Sequence, residues 1–189
     1  MPVIGFLGSI TANGFEMFLA GFHDGLKETG YIEGKNVTIE YRWADNRYDR
    51  LPALADDLVH RQVAVIVAAG GEPVALAAKA ATSAIPIVFS AVDDPVRIGL
   101  VASFNRPGTN MTGMSILNSV VNSKRLEILH QLLPKISEVG LLVSLNIPDI
   151  QNQIADAQAA ARTFGLNFHL LNANNESDFD SAFAEAAKL

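Results

Sequence analysis

At 189 residues, 49% of them hydrophobic and 18% charged, the chain can bury one sizeable core or two small ones, which excludes a mainly disordered protein. A formal net charge of −6, with lysines and arginines scattered rather than gathered in runs, offers no basic patch to phosphates, so no nucleic-acid partner is expected. The absence of cysteine removes disulfides, thiolate zinc sites and thiol nucleophiles together.

Along the chain, strand patterns alternate with helix patterns. Val3–Gly8 is a short apolar run, and Phe15, Phe18, Leu19, Phe22 and Leu26 then recur at the three- and four-residue spacing of one helical face, which Gly30 terminates. In VTIEYRW, Val37, Ile39, Tyr41 and Trp43 alternate with Thr38, Glu40 and Arg42, the period of a strand. Leu51 to His60 reads as a helix with Leu51, Leu54, Ala55 and Leu58 inward and Pro52 in its first turn. Val63 to Ala68 is apolar on both phases, as in a central strand covered by helices on both faces. A helix over Val74 to Ala81 and a strand over Ile85 to Ser90 follow, so the first four strands make a parallel β-α-β series.

Residues Asp93 to Gly113 show no sustained period and read as a long excursion at a boundary. It divides an N-terminal α/β lobe, residues 1–114, from a C-terminal one, residues 115–189. The second lobe is expected to hold a helix over Ser119–Leu133 with Leu126, Leu129 and Leu133 inward, a strand over Val139–Ser144, an alanine-rich helix over Ile150–Gly165, a strand over Asn167–Asn172 and a last helix over Ser177–Lys188. Two strands are too few for a sheet sealed on both faces, so this lobe reads as incomplete.

The strand, glycine pair and helix in VIVAAGGEP pose the question of a phosphate loop. The dinucleotide and P-loop fingerprints are both missing, Glu72 repels a phosphate, and Pro73 removes one backbone donor. The carboxyl ends of parallel strands are nonetheless where open α/β sheets bind ligands. The loops SIT, WAD, GGE and SAVDD would gather there. Ser9, Thr11 and free N–H groups at helix starts suit a carboxylate, and Glu72, Asp93 or Asp94 an ammonium, so a small polar solute fits. The same residues also have plain structural uses: a tight turn for Gly70-Gly71, a turn start for Asp94-Pro95, and core packing for Tyr41 and Trp43.

Catalysis finds little support. His23, His60, His130 and His169 lie on different elements without metal-ligand spacing, no G-x-S-x-G elbow is present, and Asp93 and Asp94 are too close in sequence to share a proton on extended backbone. No metal, cofactor or catalytic residue is expected. No apolar run approaches the roughly 20 residues of a membrane span, and MPVIGFLGS lacks the features of a secretory signal.

The phrases GLKETGYIEGKNVTIEYRWADNRYDRLPALADDLV, IVAAGGEPVALAAKAATSAIPIVF, DDPVRIGLVASFNRPGTNMTGMS and KRLEILHQLLP, in order and spacing, resemble the substrate-binding proteins of a bacterial ABC-transporter family. The resemblance covers essentially the whole chain. It implies a two-lobe type I periplasmic-binding-protein fold with an incomplete second lobe, and solute capture in an inter-lobe cleft rather than chemistry; studied members include aromatic amino-acid binders. It further implies closure about residues 110–115, an ABC permease with its ATPase as partner, an extracytoplasmic or periplasmic location after loss of an export signal, and self-association of a shortened chain to cover exposed core. By position, the cleft residues would be Ser9, Ile10, Ala69, Gly70, Gly71, Glu72, Ser90, Ala91, Val92, Asp93, Asp94, Thr112 and Gly113. Relatives usually carry a small hydroxyl residue where this chain has Glu72, which exchanges a carboxylate donor for an ammonium acceptor. Two other readings stay open, a cytosolic effector-sensing core of a regulator and a small-molecule enzyme.

Overall fold

A computed structural model describes residues 1–116, 118–147 and 150–189. The chain divides into two compact units, Met1–Ile116 and Leu117–Leu189. In the first, β1 (Val3–Gly8), β2 (Thr38–Trp43), β3 (Val65–Ala69), β4 (Ile87–Val92) and β5 (Met111–Ser115) form a wholly parallel sheet in the order β2-β1-β3-β4-β5. Helices α1 (Glu16–Glu28), α2 (Leu51–His60) and α3 (Glu72–Ala81) make the crossovers.

The period-2 alternation sorts each strand between two cores. Leu7, Ile66, Ala68, Ile87 and Phe89 pack with Leu51, Ala55 and Leu58 of α2 and Val74, Ala75 and Ala78 of α3. Ile4, Phe6, Val37, Ile39 and Ala69 point to the other face, where Leu19, Phe22 and Leu26 of α1 meet them. Phe6 is the hub of an aromatic cluster on that face, its ring centroid 5.3 Å from Trp43, 5.4 Å from Phe22, 5.7 Å from Tyr41 and 6.1 Å from Phe15. Tyr41 stacks on Trp43 at 8° between planes. Burial, with the Glu33 carboxylate beside it, pushes the Tyr41 hydroxyl up to about 12, so it stays protonated and donates to Glu33 at 3.3 Å.

The sequence pattern and the structure part at three places in this unit. The excursion from Asp93 to Gly113 ends in a fifth strand, so Thr112 and Gly113 stand inside β5, paired with Val88 and Phe89 of β4. The expected cover on both faces of β3 holds for the α2–α3 face only. On the α1 face, Val65 and Val67 floor an apolar cavity of about 470 Å³ walled by Phe18, Phe22, Val88 and Met114. Phe18, expected on the buried stripe of its helix, is 61% exposed.

The second unit pairs β6 (Glu138–Val143) with β7 (Asn167–Asn172) in parallel and adds α4 (Asn118–Leu132), α5 (Ile150–Thr163) and α6 (Phe179–Ala186). Its buried residues are small or aliphatic: Ile150, Ala160, Ala161, Leu166, Leu171, Ala173 and Ala182. Leu126 is half-buried as the pattern requires, but Leu129 and Leu133 are exposed. A two-stranded sheet presents too little surface to cover a full helix stripe. Asn172, the last residue of β7, and Asn174 after it accept from the Leu145 N–H at 3.2 and 3.1 Å and tie the ends of β6 and β7 together.

Across the start of this strand pair, Glu138 accepts from Asn167 at 2.8 Å and from His169 Nε2 at 2.5 Å. The Asn167 amide first, then His169, holds the Glu138 carboxyl below its ordinary value. A depressed carboxyl stabilises the fold above the unfolded-state pKa and ceases to do so as pH falls through the folded one. Melting curves of the wild type and Glu138→Gln should therefore differ most near neutral pH and converge as the pH falls through the ordinary carboxylate range to the depressed folded-state value. The gap is expected to be small because the pair is solvent-screened; a gap independent of pH would remove the carboxylate from the account.

Candidate functional site

The strand order reverses between β1 and β3, and in open parallel sheets the crevice beyond the carboxyl ends at such a switch point is the ligand position. Ser9 follows β1 there, and Gly70-Gly71 follow β3. Ser9 is 4% exposed, a buried polar residue. Its N–H donates to the Ala69 carbonyl at 3.3 Å, while its hydroxyl has no hydrogen-bond partner among the described residues. That hydroxyl lies against the Cα of Gly70, since a Cβ built on Gly70 would overlap Ser9 Oγ and come within 2.9 Å of Ser9 Cβ. Gly70 and Gly71 take φ values of 116° and 94°, a region that L side chains rarely adopt, which is why the turn needs both glycines.

Gly71 caps α3, whose first residue is Glu72 with Pro73 in the first turn. The N–H groups of Gly70 and Gly71 donate to no acceptor among the described residues. With the positive end of the α3 dipole behind them, they and the Ser9 hydroxyl form a set of donors suited to a carboxylate. Glu72 is half-buried beside them and brings a negative charge to the same edge. This disfavours a phosphate dianion while leaving room for a group carrying both signs.

The other expected residues are distributed around this centre. Ile10 turns away from solvent to pack on the apolar cluster, touching Gly14. Ser90 is the register neighbour of Ala69 and lies at the rim of the apolar cavity. Ala91 and Val92 are the last residues of β4; their side chains, like Pro148 in the second unit, lie outside the described residues. Asp93 is paired with Arg97 at 3.4 Å, and Asp94 Oδ1 accepts from the Val96 and Arg97 N–H groups, both at 3.0 Å, which makes Asp94 a turn-former. Thr112 and Gly113 stand within β5, set back from its carboxyl end. Trp43 ends β2 with its ring against the Cα of Gly8, one residue before Ser9. The sequence pattern did not single out Asn46, whose N–H donates to the Ser9 carbonyl at 2.9 Å.

A parallel α/β sheet whose loops bring donors without a partner among the described residues to the switch point has the form of a ligand-binding domain. The chain belongs to the ABC transporter substrate-binding protein family, whose model matches residues 4–188. It is 35% identical over 134 residues to a tyrosine-binding protein of Clostridioides difficile, an alignment covering 71% of this chain and 37% of that protein. Among solved structures it is similar to a conserved domain protein from Vibrio cholerae, with a TM-score of 0.85 and 28% identity over 99% of this chain and 62% of that one. It shares its fold with an ABC domain from Streptococcus pneumoniae in complex with L-Trp, with a TM-score of 0.80 and 22% identity at the same coverage. The chain thus spans about 62% of the length of these structures and about 37% of the tyrosine-binding protein. The α/β fold, with parallel sheets flanked by helices, is of the type I periplasmic-binding-protein kind that the resemblance implied.

Proposed function

We propose that the protein is the solute-capturing component of an ABC importer, acting outside the cytoplasm and delivering its ligand to a membrane permease and its ATPase, without chemistry on the ligand. The solute we assign is a zwitterionic amino acid or a close derivative. Its carboxylate would sit on the Ser9 hydroxyl and the Gly70 and Gly71 N–H groups, and its ammonium would face Glu72, with Asp93 as a second acceptor. The observation that carries this reading is the hydroxyl of Ser9, a residue only 4% exposed, which is unpartnered among the described residues and lies against the glycine turn that starts α3. The hydroxyl of a residue that is only 4% exposed, making no hydrogen bond among the described residues yet reaching solvent, is placed to meet a ligand acceptor. Family membership and the tyrosine-binding relative support an amino acid.

A thermal-shift screen of amino acids, small peptides and sugars tests this directly. A true ligand at about 100 times its dissociation constant should add about 2.7 kcal/mol of stability. Glu72→Thr should weaken the amino acid that wild type prefers by about tenfold, the loss of a charge-assisted contact, while affinity for its N-acetyl derivative, which lacks the ammonium, changes little. If no solute shifts the protein, the capture reading fails. Equal effects of Glu72→Thr on both ligands would leave Glu72 as a helix-start acid only.

A further inference from the structure

The segment leaving β2 carries a feature that an ordinary connection does not require. Asp45 and Asn46 sit side by side at φ 54° and 62°, both in the left-handed region that most non-glycine residues avoid and that Asp and Asn enter more readily than others, though seldom as consecutive residues. Gln62, the other described non-glycine residue with positive φ, follows α2, where a left-handed turn is a common helix ending. Asp45-Asn46 ends no helix. The pair is held by its surroundings: Arg50 Nη1 donates to Asp45 Oδ2 at 2.6 Å, the Arg47 N–H to the Ala44 carbonyl at 2.9 Å, and the Ala44 N–H to the Gly8 carbonyl at 2.9 Å. Strain that neighbouring contacts maintain is characteristic of sites where geometry matters.

What the strained pair accomplishes is to aim one N–H. Asn46 donates to the Ser9 carbonyl at 2.9 Å, while the Ser9 N–H donates to Ala69. Ser9 is therefore gripped through both of its peptide groups, by the β2 loop on one side and β3 on the other, with its hydroxyl set over Gly70. We propose that Asn46 is a positioning residue of the solute site: its left-handed backbone fixes Ser9 so that the hydroxyl and the glycine N–H groups address one carboxylate. The proposal rests on the carboxylate assignment made above, and its test separates the two.

The probes are L-tyrosine and L-tyrosine methyl ester, which lacks the carboxylate, each titrated by calorimetry, together with amide hydrogen exchange at Ser9. Asn46→Val, whose β-branched side chain disfavours positive φ, should weaken tyrosine at least tenfold, leave the ester within about twofold, and speed exchange of the Ser9 amide. Asn46→Gly, which accepts the same backbone, should keep the wild-type preference and protection. Arg50→Ala, which loosens the turn while leaving Asn46 in place, should shift both readouts in the direction of the valine variant and serves if that variant does not fold. An unchanged acid-to-ester ratio together with unchanged Ser9 exchange in Asn46→Val or Arg50→Ala overturns the proposal. If wild type binds neither probe, tyrosine is not the solute, while the exchange data still decide whether Asn46 holds Ser9.

Discussion

Gly70→Ala should lose solute binding and about 2–5 kcal/mol of stability, a larger penalty than a surface glycine normally carries. Two costs add at this position. At φ 116° an L side chain is strained, which accounts for about 1–2 kcal/mol. The new methyl group also meets Ser9, with Ser9 Cβ at 2.9 Å and the Ser9 backbone nitrogen at 3.2 Å, and Ser9 cannot retreat because both of its peptide groups are hydrogen-bonded. Overpacking of this kind costs a further 1–3 kcal/mol or so. Gly99→Ala supplies the control: its φ is 72°, but a Cβ there would find nothing within 4 Å. It should show the strain alone, about 1–2 kcal/mol, and leave binding intact. Urea unfolding gives the two stabilities, and calorimetry with the wild-type ligand gives binding. Equal stability losses in the two variants, with binding preserved in both, would show that the Ser9–Gly70 contact carries no function.

Most of the first unit was readable from local pattern, and the exceptions share a cause. β1 announces itself as a short apolar run, and β2 and α2 by period, with Val37, Ile39, Tyr41 and Trp43 alternating and Leu51, Ala55 and Leu58 recurring on one face. MTGMS carries no such period. It becomes β5 because Met111 and Gly113 align with Ile87 and Phe89 of β4, a pairing made by tertiary contact rather than by propensity. Leu129 and Leu133 fail in the opposite direction, since the helix pattern is right and the apolar surface to receive it is small. Gathering of the β1 and β3 loops followed from parallel topology and the GGE turn. The part played by Asn46 did not, because Ala-Asp-Asn tolerates a left-handed turn without dictating one, and the acceptor that fixes it lies on another strand.

Phe6→Ala should be the most destabilising single change in the aromatic core, at about 3–5 kcal/mol. Phe6 is 2% exposed and touches four other aromatic rings, so truncation removes its own transfer free energy and leaves Trp43, Tyr41, Phe22 and Phe15 facing a void. One feature moderates the loss. Phe6 already borders the open cavity on the α1 face, so water can enter the new space more easily than in a sealed core. This places the expected value toward the lower end of the range. Phe18→Ala, on the same face at 61% exposure, should cost under about 1 kcal/mol and calibrates the comparison. The consequence extends to the site: Trp43 leans on Phe6 and against Gly8, the residue before Ser9, so loss of the Phe6 ring should also weaken solute binding in the fraction that remains folded. Chemical denaturation of both variants, with calorimetry under native conditions, checks the two effects separately. A Phe6→Ala protein no less stable than Phe18→Ala would mean that neither the burial of Phe6 nor its ring contacts contribute to the fold.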